Sequence, residues 1–226
     1  MPLSGINIAG ETTETLHDRT GTQRREPMRS FAKCVEMEEN AAMRWFIASD
    51  IHGSAWYCRK MLEAYEREQG DRLLLLGDIL YHGPRNDLPR EYAPKEVIAM
   101  LNDRKDEIYA VRGNCEAEVD QMVLEFPVLA DYFLLPVGEK MIYATHGHIY
   151  NEKNLPPMKK GDILLHGHTH VLKAERREHY ILLNPGSVSL PKEGNVPSYG
   201  ILEDEYFEIK DLEGMSISVL KLEGEV

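Results

Sequence analysis

From residue 43 onward the chain alternates short apolar runs with stretches of helical periodicity, and before that residue it shows neither pattern. Arg44–Ser49 (RWFIAS) predicts a buried strand, and Ser54–Gln69 predicts a helix with Ser54 as its N-cap. Arg72–Gly77 (RLLLLG) follows as a second strand. A loop rich in proline and glycine then leads to a helix from Pro94 to about Arg104, with proline well placed near its start. Glu107–Arg112 reads as a third strand, with a short helix after Asn114. The second half is strand-rich. Tyr132–Pro136 and Lys140–Thr145 form one predicted hairpin, Asp162–His166 a single strand, and Leu172–Glu178 with Tyr180–Asn184 a second hairpin. Two or three further strands fill Ser198–Leu222. Strand–helix units followed by strands predict an α/β domain built from two sheets packed face to face, with helices outside.

Residues 1–42 contain Gly5, Gly10 and Gly21, a polar stretch (ETTETLHDRTGTQRRE) and no sustained apolar period. They are expected to form a poorly ordered extension with at most a short helix around Phe31–Ala42, and residues 43–226 the folded domain. The arginines of this extension are interrupted by Glu11, Glu14, Asp18 and Glu26, unlike an organelle transit peptide, and a translation start at Met43 would remove it altogether.

Composition changes the picture in one respect. The 226 residues include 26 Lys+Arg against 38 Asp+Glu, a net charge of −12. Residues 1–42 hold five of the bases and seven of the acids, so the remainder keeps most of the excess negative charge. Such a surface offers no track for a long nucleic acid, although a small phosphate compound can still bind at a local positive site. The longest aliphatic run, Leu73–Leu76, is too short for a bilayer. Three widely spaced cysteines (Cys34, Cys58, Cys115), without a CxxC pair, fit a reducing compartment better than a disulfide framework. The expectation is a cytoplasmic protein with no membrane partner.

The informative polar residues stand directly after the apolar strands. RWFIAS runs into Asp50-Ile51-His52-Gly53, LLLLG into Asp78, and IYAVRG into Asn114; MIYAT runs into His146-Gly147-His148 and ILLHG into His168-Thr169-His170. Five strands thus deliver metal-capable side chains at their carboxyl ends, the edge where ligand crevices form in open sheets. Asp50/His52 and His168/His170 are spaced i, i+2, which in extended backbone points both members of a pair the same way. A single histidine at a strand end is ordinarily a surface or hydrogen-bonding residue; five coincidences in order are not explained that way. Two carboxylates, one amide and four imidazoles suit Mn, Fe, Co or Zn, and seven ligands fit two ions sharing a carboxylate. His148 and His166 lie off this pattern and are read as supporting residues, while His17 and His179 are expected to face solvent.

D-x-H, G-D, G-N, H-G-H and G-H-T-H in this order resemble the calcineurin-like metallophosphoesterase superfamily. The strings ASDIHGS, LLGDILYHGPRN, APKEVIAMLN, AVRGNCEAEVDQM, THGH, NEKNLP, GHTH and NPGSVSLPKEGN are similar to those of its small bacterial YfcE-type phosphodiesterases, from about Met43 almost to the C-terminus. The resemblance implies a four-layer α/β/β/α sandwich and two divalent ions, commonly Mn2+. Asp50, His52, Asp78 and His170 would hold the first ion, and Asp78, Asn114, His146 and His168 the second, with Asp78 bridging. Two dications against Asp50, Asp78 and a bridging hydroxide leave a net charge of about +1, an attractor for a phosphate oxygen and a source of nucleophile at neutral pH. The implied activity is hydrolysis of a small phosphodiester; a phosphomonoesterase with the same centre, or a non-catalytic scaffold of the same fold, are the alternatives. Members of the family often associate, which makes a homo-oligomer a further expectation.

One position departs from the superfamily. Where many members have G-N-H-[DE], this chain has Gly113-Asn114-Cys115-Glu116. A thiol with an ordinary pKa of about 8.5 is a poorer proton donor than imidazolium, and nearby cations would push it toward thiolate. Diesters with good leaving groups are therefore the expected substrates. His82, in the loop after Asp78, is a second candidate for proton donor and Arg85 a candidate for phosphate binding; the same loop can equally be ordered by Gly83-Pro84 with both side chains merely solvated.

Overall fold

The computed structural model describes residues 43–224; the expectations for residues 1–42, including His17 and the short helix, lie outside the described residues. Among the described residues, eleven strands form two mixed sheets. The first runs in the order β11 (Ser216–Lys221), β10 (Tyr206–Asp211), β9 (Ser198–Glu203), β1 (Trp45–Ala48), β2 (Arg72–Leu75), β3 (Ile108–Ala110). The second runs β4 (Phe133–Val137), β5 (Lys140–Thr145), β6 (Ile163–His166), β8 (Ile181–Asn184), β7 (Lys173–Arg176). Both predicted hairpins are present. The first closes on a two-residue turn in which Gly138 takes a φ of +55°.

The continuous apolar runs of β1 and β2 follow from their central place, where both faces of a strand are buried. Phe46, Ala48, Leu73 and Leu75 face helices α1 (Ala55–Arg67) and α2 (Pro94–Asn102), together with Cys58, Met61, Val97 and Leu101. Their alternates Trp45, Ile47, Leu74 and Leu76 meet Ile142, Ala144, Ile163, Leu165, Ile181 and Leu183 of the second sheet. Two cores thus lie on either side of one sheet, giving the α/β sandwich.

On the far face of the second sheet, Tyr143, Leu164 and Leu182 stand in register. The 147–161 segment reaches this sheet through Tyr150, edge-on to Tyr143 at 6.0 Å, and Glu152, paired to Lys173 at 2.6 Å. That segment is irregular in conformation. The short predicted helix after Asn114 is α3 (Glu118–Gln121).

Strands β1, β2 and β3 are parallel to one another, as are β5, β6 and β8. The carboxyl ends of each set therefore emerge together, and the segments they lead into form the site.

Candidate metal centre

Each segment after a strand is fixed by main-chain bonds to its neighbour. The N–H groups of Asp50, His52 and Gly53 donate to the carbonyls of Gly77, Asp78 and Ile79 at 3.1, 2.9 and 2.8 Å, prolonging the β1–β2 pairing past both strands. The backbone here is not extended: Asp50, His52, Asp78, His168 and His170 have φ of +59°, +53°, +54°, +64° and +61°. The i, i+2 pairs therefore do not lie in extended backbone, contrary to the expectation from their spacing. These pairs converge because alternate residues of tight turns occupy the left-handed region, which costs about 1–3 kcal/mol per residue and persists only where surrounding structure compels it.

The side chains then meet. Asp50 Oδ1 lies 3.6 Å from His52 Nε2 and 3.3 Å from His170 Nε2, and those two nitrogens are 3.3 Å apart. Asp78 Oδ2 is 3.8 Å from His52 Nε2, while Asp78 Oδ1 is 3.4 Å from His146 Nε2. His146 Nε2 in turn is 3.2 Å from both Asn114 Oδ1 and His168 Nδ1. All seven residues named from the sequence thus form one connected cluster, with Asp78 between an Asp50–His52–His170 group and an Asn114–His146–His168 group.

Hydrogen bonding decides what this cluster can hold. His52, His146 and His170 each donate from Nδ1 to a backbone carbonyl: Tyr81 O at 2.8 Å, Leu76 O at 2.7 Å and Leu190 O at 2.5 Å. In the neutral ring each Nε2 is then a lone pair aimed into the cluster. The buried Asp50 Oδ1 has no hydrogen-bond partner. Lone pairs and an unpartnered carboxylate oxygen turned toward one another are costly without a cation among them, and two wholly buried groups, Asp50–His52–His170 and Asp50–Asp78–His146, are compact enough to hold one. The residues present therefore fit divalent metal ions.

The pKa values express the same crowding. Burial would raise the Asp50 carboxyl, but in the protonated rings the adjoining His170 and His52 N–H groups hold it well below the usual carboxylate range, the place a bound cation would take. Burial would lower His146, yet the Asp78 carboxylate pushes it up to about 9; burial and the His146 charge push His168 down to about 4.

Several supports were not singled out from the sequence, although Glu116 and the Asn184–Ser189 turn lie within the family-like strings. The buried Glu116 carboxylate accepts from the N–H groups of Asp78 (2.9 Å), Ile79 (2.7 Å) and Gly113 (2.5 Å), tying the β2 and β3 segments together. Ser187 and Ser189 both donate to the Asp50 carbonyl, at 2.9 and 2.8 Å, while Ser49 donates to Asp50 Oδ2 at 2.7 Å. Asn184 donates to Gly167 O and Thr169 Oγ1, each at 3.0 Å. The Asn184–Ser189 turn thus braces two ligand segments at once.

A cleft of about 370 Å³ opens over the cluster, lined by Asp78, Asn114, Cys115, His168 and His170 together with Arg85, Asn86 and Lys192. Cys115 donates from Sγ to Asp78 Oδ2 at 3.3 Å, and burial together with the Asp78 carboxylate raises its thiol above the ordinary range. The protein's own field thus favours the thiol form, and bound cations would act in the opposite sense. His82 does not line the cleft: its ring stands between Tyr81 and Tyr92, with centroids 4.8 and 5.2 Å away. His166 is buried on the cluster's flank, His148 packs beside His146 at 5.4 Å, and His179 is exposed. A wider groove of about 490 Å³ on the helix face, lined by Arg59, Glu66 and Arg104, has those cations committed to Glu91, Glu96 and Glu66.

Fold and site together define a phosphoester hydrolase, and the chain belongs to the calcineurin-like phosphoesterase superfamily, whose domain it matches over residues 43–205. It is 43% identical to phosphodiesterase YfcE of Escherichia coli K12 over 175 residues, which are 77% of this chain and 95% of that protein. The solved structure of the E. coli phosphoesterase YfcE superposes with a TM-score of 0.77 at 41% identity, covering 80% of this chain and all of that one. Vacuolar protein sorting 29 from Cryptosporidium parvum shares the fold alone, at 18% identity and a TM-score of 0.53, covering 80% of this chain and all of that one.

Proposed function

We propose that this protein is a metal-dependent phosphodiesterase acting on a small phosphodiester. The observation that carries this reading is the convergence of histidine lone pairs on the unpartnered Asp50 Oδ1, in a chain 43% identical to a phosphodiesterase. Asp50, His52 and His170 would hold one divalent ion, Asn114, His146 and His168 a second, and Asp78 both. Bound ions would supply Lewis-acid chemistry, activating water and neutralising phosphoryl oxygens. Mn2+ suits the mixed nitrogen and oxygen donors.

The chain's own residues then set the preference. Asn114 contributes a neutral oxygen, so positive charge is left for the anionic substrate. Cys115, beside Asp78 on the cleft wall, would be the proton donor to a departing oxygen, and its weakness as an acid favours leaving groups that need little protonation. Cys58 and Cys115 are both free, which fits residence in a reducing compartment such as the cytoplasm. No helix among the described residues is long and apolar enough to cross a membrane.

Hydrolysis of bis(p-nitrophenyl) phosphate and p-nitrophenyl phosphate by the Mn2+-loaded protein tests the reading. The diester is expected to be the faster substrate. A faster monoester would make the protein a phosphomonoesterase, and metal binding without turnover of either would make it a scaffold.

A further inference from the structure

The cleft carries two cations that the ligand cluster does not use. Arg85 reaches it from the segment after β2, and Lys192 from the segment after β8. The Lys192 N–H donates to the carbonyl of the ligand residue His170 at 3.1 Å, and Asn195 Nδ2 donates to the Lys192 carbonyl at 2.7 Å. On the other wall, Asn86 Nδ2 donates to the His82 carbonyl at 2.9 Å, ordering the loop that bears Arg85. Neither Arg85 nor Lys192 enters an ion pair among the described residues, whereas Arg59 and Arg104 in the helix-side groove are both paired with glutamates. In a chain of net charge −12, two unpaired cations lining one cleft from distant segments call for an anion.

The charge balance says how much anion. A site of about +1 matches one diester monoanion. Arg85 and Lys192, both exposed at the cleft's lining, add two positive charges beyond that match, and a guanidinium and an ammonium each pair with a phosphate or carboxylate group. We propose that the substrate is a small phosphodiester carrying a second, terminal anionic group, a phosphate or a carboxylate, which Arg85 and Lys192 bind while the scissile diester lies at Asp78 and Asn114. The inference rests on the phosphodiesterase reading and narrows its substrate class.

Binding of product-like ligands tests it without turnover. Calorimetry on the full-length, Mn2+-loaded protein compares ω-hydroxyalkyl phosphates with alkanediyl bisphosphates and ω-carboxyalkyl phosphates over a series of tether lengths. At one or more lengths a doubly anionic compound is expected to bind about tenfold tighter than its hydroxyl counterpart, and the Arg85→Gln/Lys192→Gln double variant to reduce that ratio below about threefold. Which compound shows the preference identifies the terminal group. A ratio near one at every length in the unaltered protein, or an undiminished ratio in the double variant, overturns the proposal. A preserved bisphosphate or carboxylate preference without hydrolysis of bis(p-nitrophenyl) phosphate would uphold the anion subsite and count against the phosphodiesterase reading alone.

Discussion

Asp50 shows how closely the surroundings specify a single side chain. Its carbonyl receives two serine hydroxyls, one carboxylate oxygen receives Ser49 and the His168 N–H, and the other oxygen is left bare among imidazoles. Glu116 does the complementary work for Asp78 by gathering three N–H groups that would otherwise be buried without acceptors. A Glu116→Gln variant presents an amide N–H₂ to one or more of those donors. It is expected to lower metal affinity or activity by about 10–100-fold, with Mn2+ titration as the measurement; unchanged affinity would show that the Asp78 segment holds its shape without Glu116. The seven ligand candidates were legible because each follows an apolar strand directly. Glu116, Ser187, Ser189 and Lys192 were not, since their partners are main-chain groups or a cleft formed by distant segments, and no spacing rule reports those. A faint signal existed for Glu116, an acid two residues after a ligand candidate in a segment that enters the site.

At the scale of elements, the site depends on segments that approach too closely for side chains. A Cβ on Gly167 would overlap Ser49 Oγ and lie 2.9 Å from Asp50 Oδ2. Gly167→Ala is therefore expected to displace Asp50, weakening Mn2+ binding more than folding; isotherms and thermal melts measured on the same preparation separate the two effects. Helix α1 supplies an independent check on the scaffold. Ser54 Oγ accepts the Tyr57 N–H at 3.2 Å and donates to Arg90 O at 2.5 Å, so one hydroxyl both caps the helix and pins the loop ahead of α2. Ser54→Ala is expected to cost about 1–2 kcal/mol, measured by urea unfolding. The cap and the strands were readable from local pattern. What local pattern did not convey was the left-handed backbone of five ligand residues, because short D-x-H and H-T-H strings look the same in a strand as in a turn.

Across the described residues, the sheet order brings parallel strand ends from both halves of the sequence to one edge. Away from that edge, Glu68 anchors the opposite region. It accepts from Arg44 at 3.0 Å, Tyr199 at 2.8 Å and Lys210 at 2.9 Å, and its side chain is 8% exposed. Burial alone would raise its carboxyl, but Lys210, Tyr199 and Arg44 lower it below the ordinary 4.5. The ionised form is thus favoured in the folded state, and its stabilisation is full above the unfolded pKa and lost as pH falls through the folded one. A Glu68→Gln variant is expected to be about 1–3 kcal/mol less stable at pH 7. That gap should close as pH drops below about 4.5, which unfolding curves across the acid range would follow; a gap constant with pH would remove the charge from the explanation.

The most direct test of the central claim is metal content measured alongside diester hydrolysis, in the unaltered protein and in Asp78→Asn. The account predicts two divalent ions per chain and turnover of bis(p-nitrophenyl) phosphate in the first, with loss of metal and of most activity in the second. Full activity in a metal-free preparation, or an Asp78→Asn protein that keeps both ions and its rate, would contradict it.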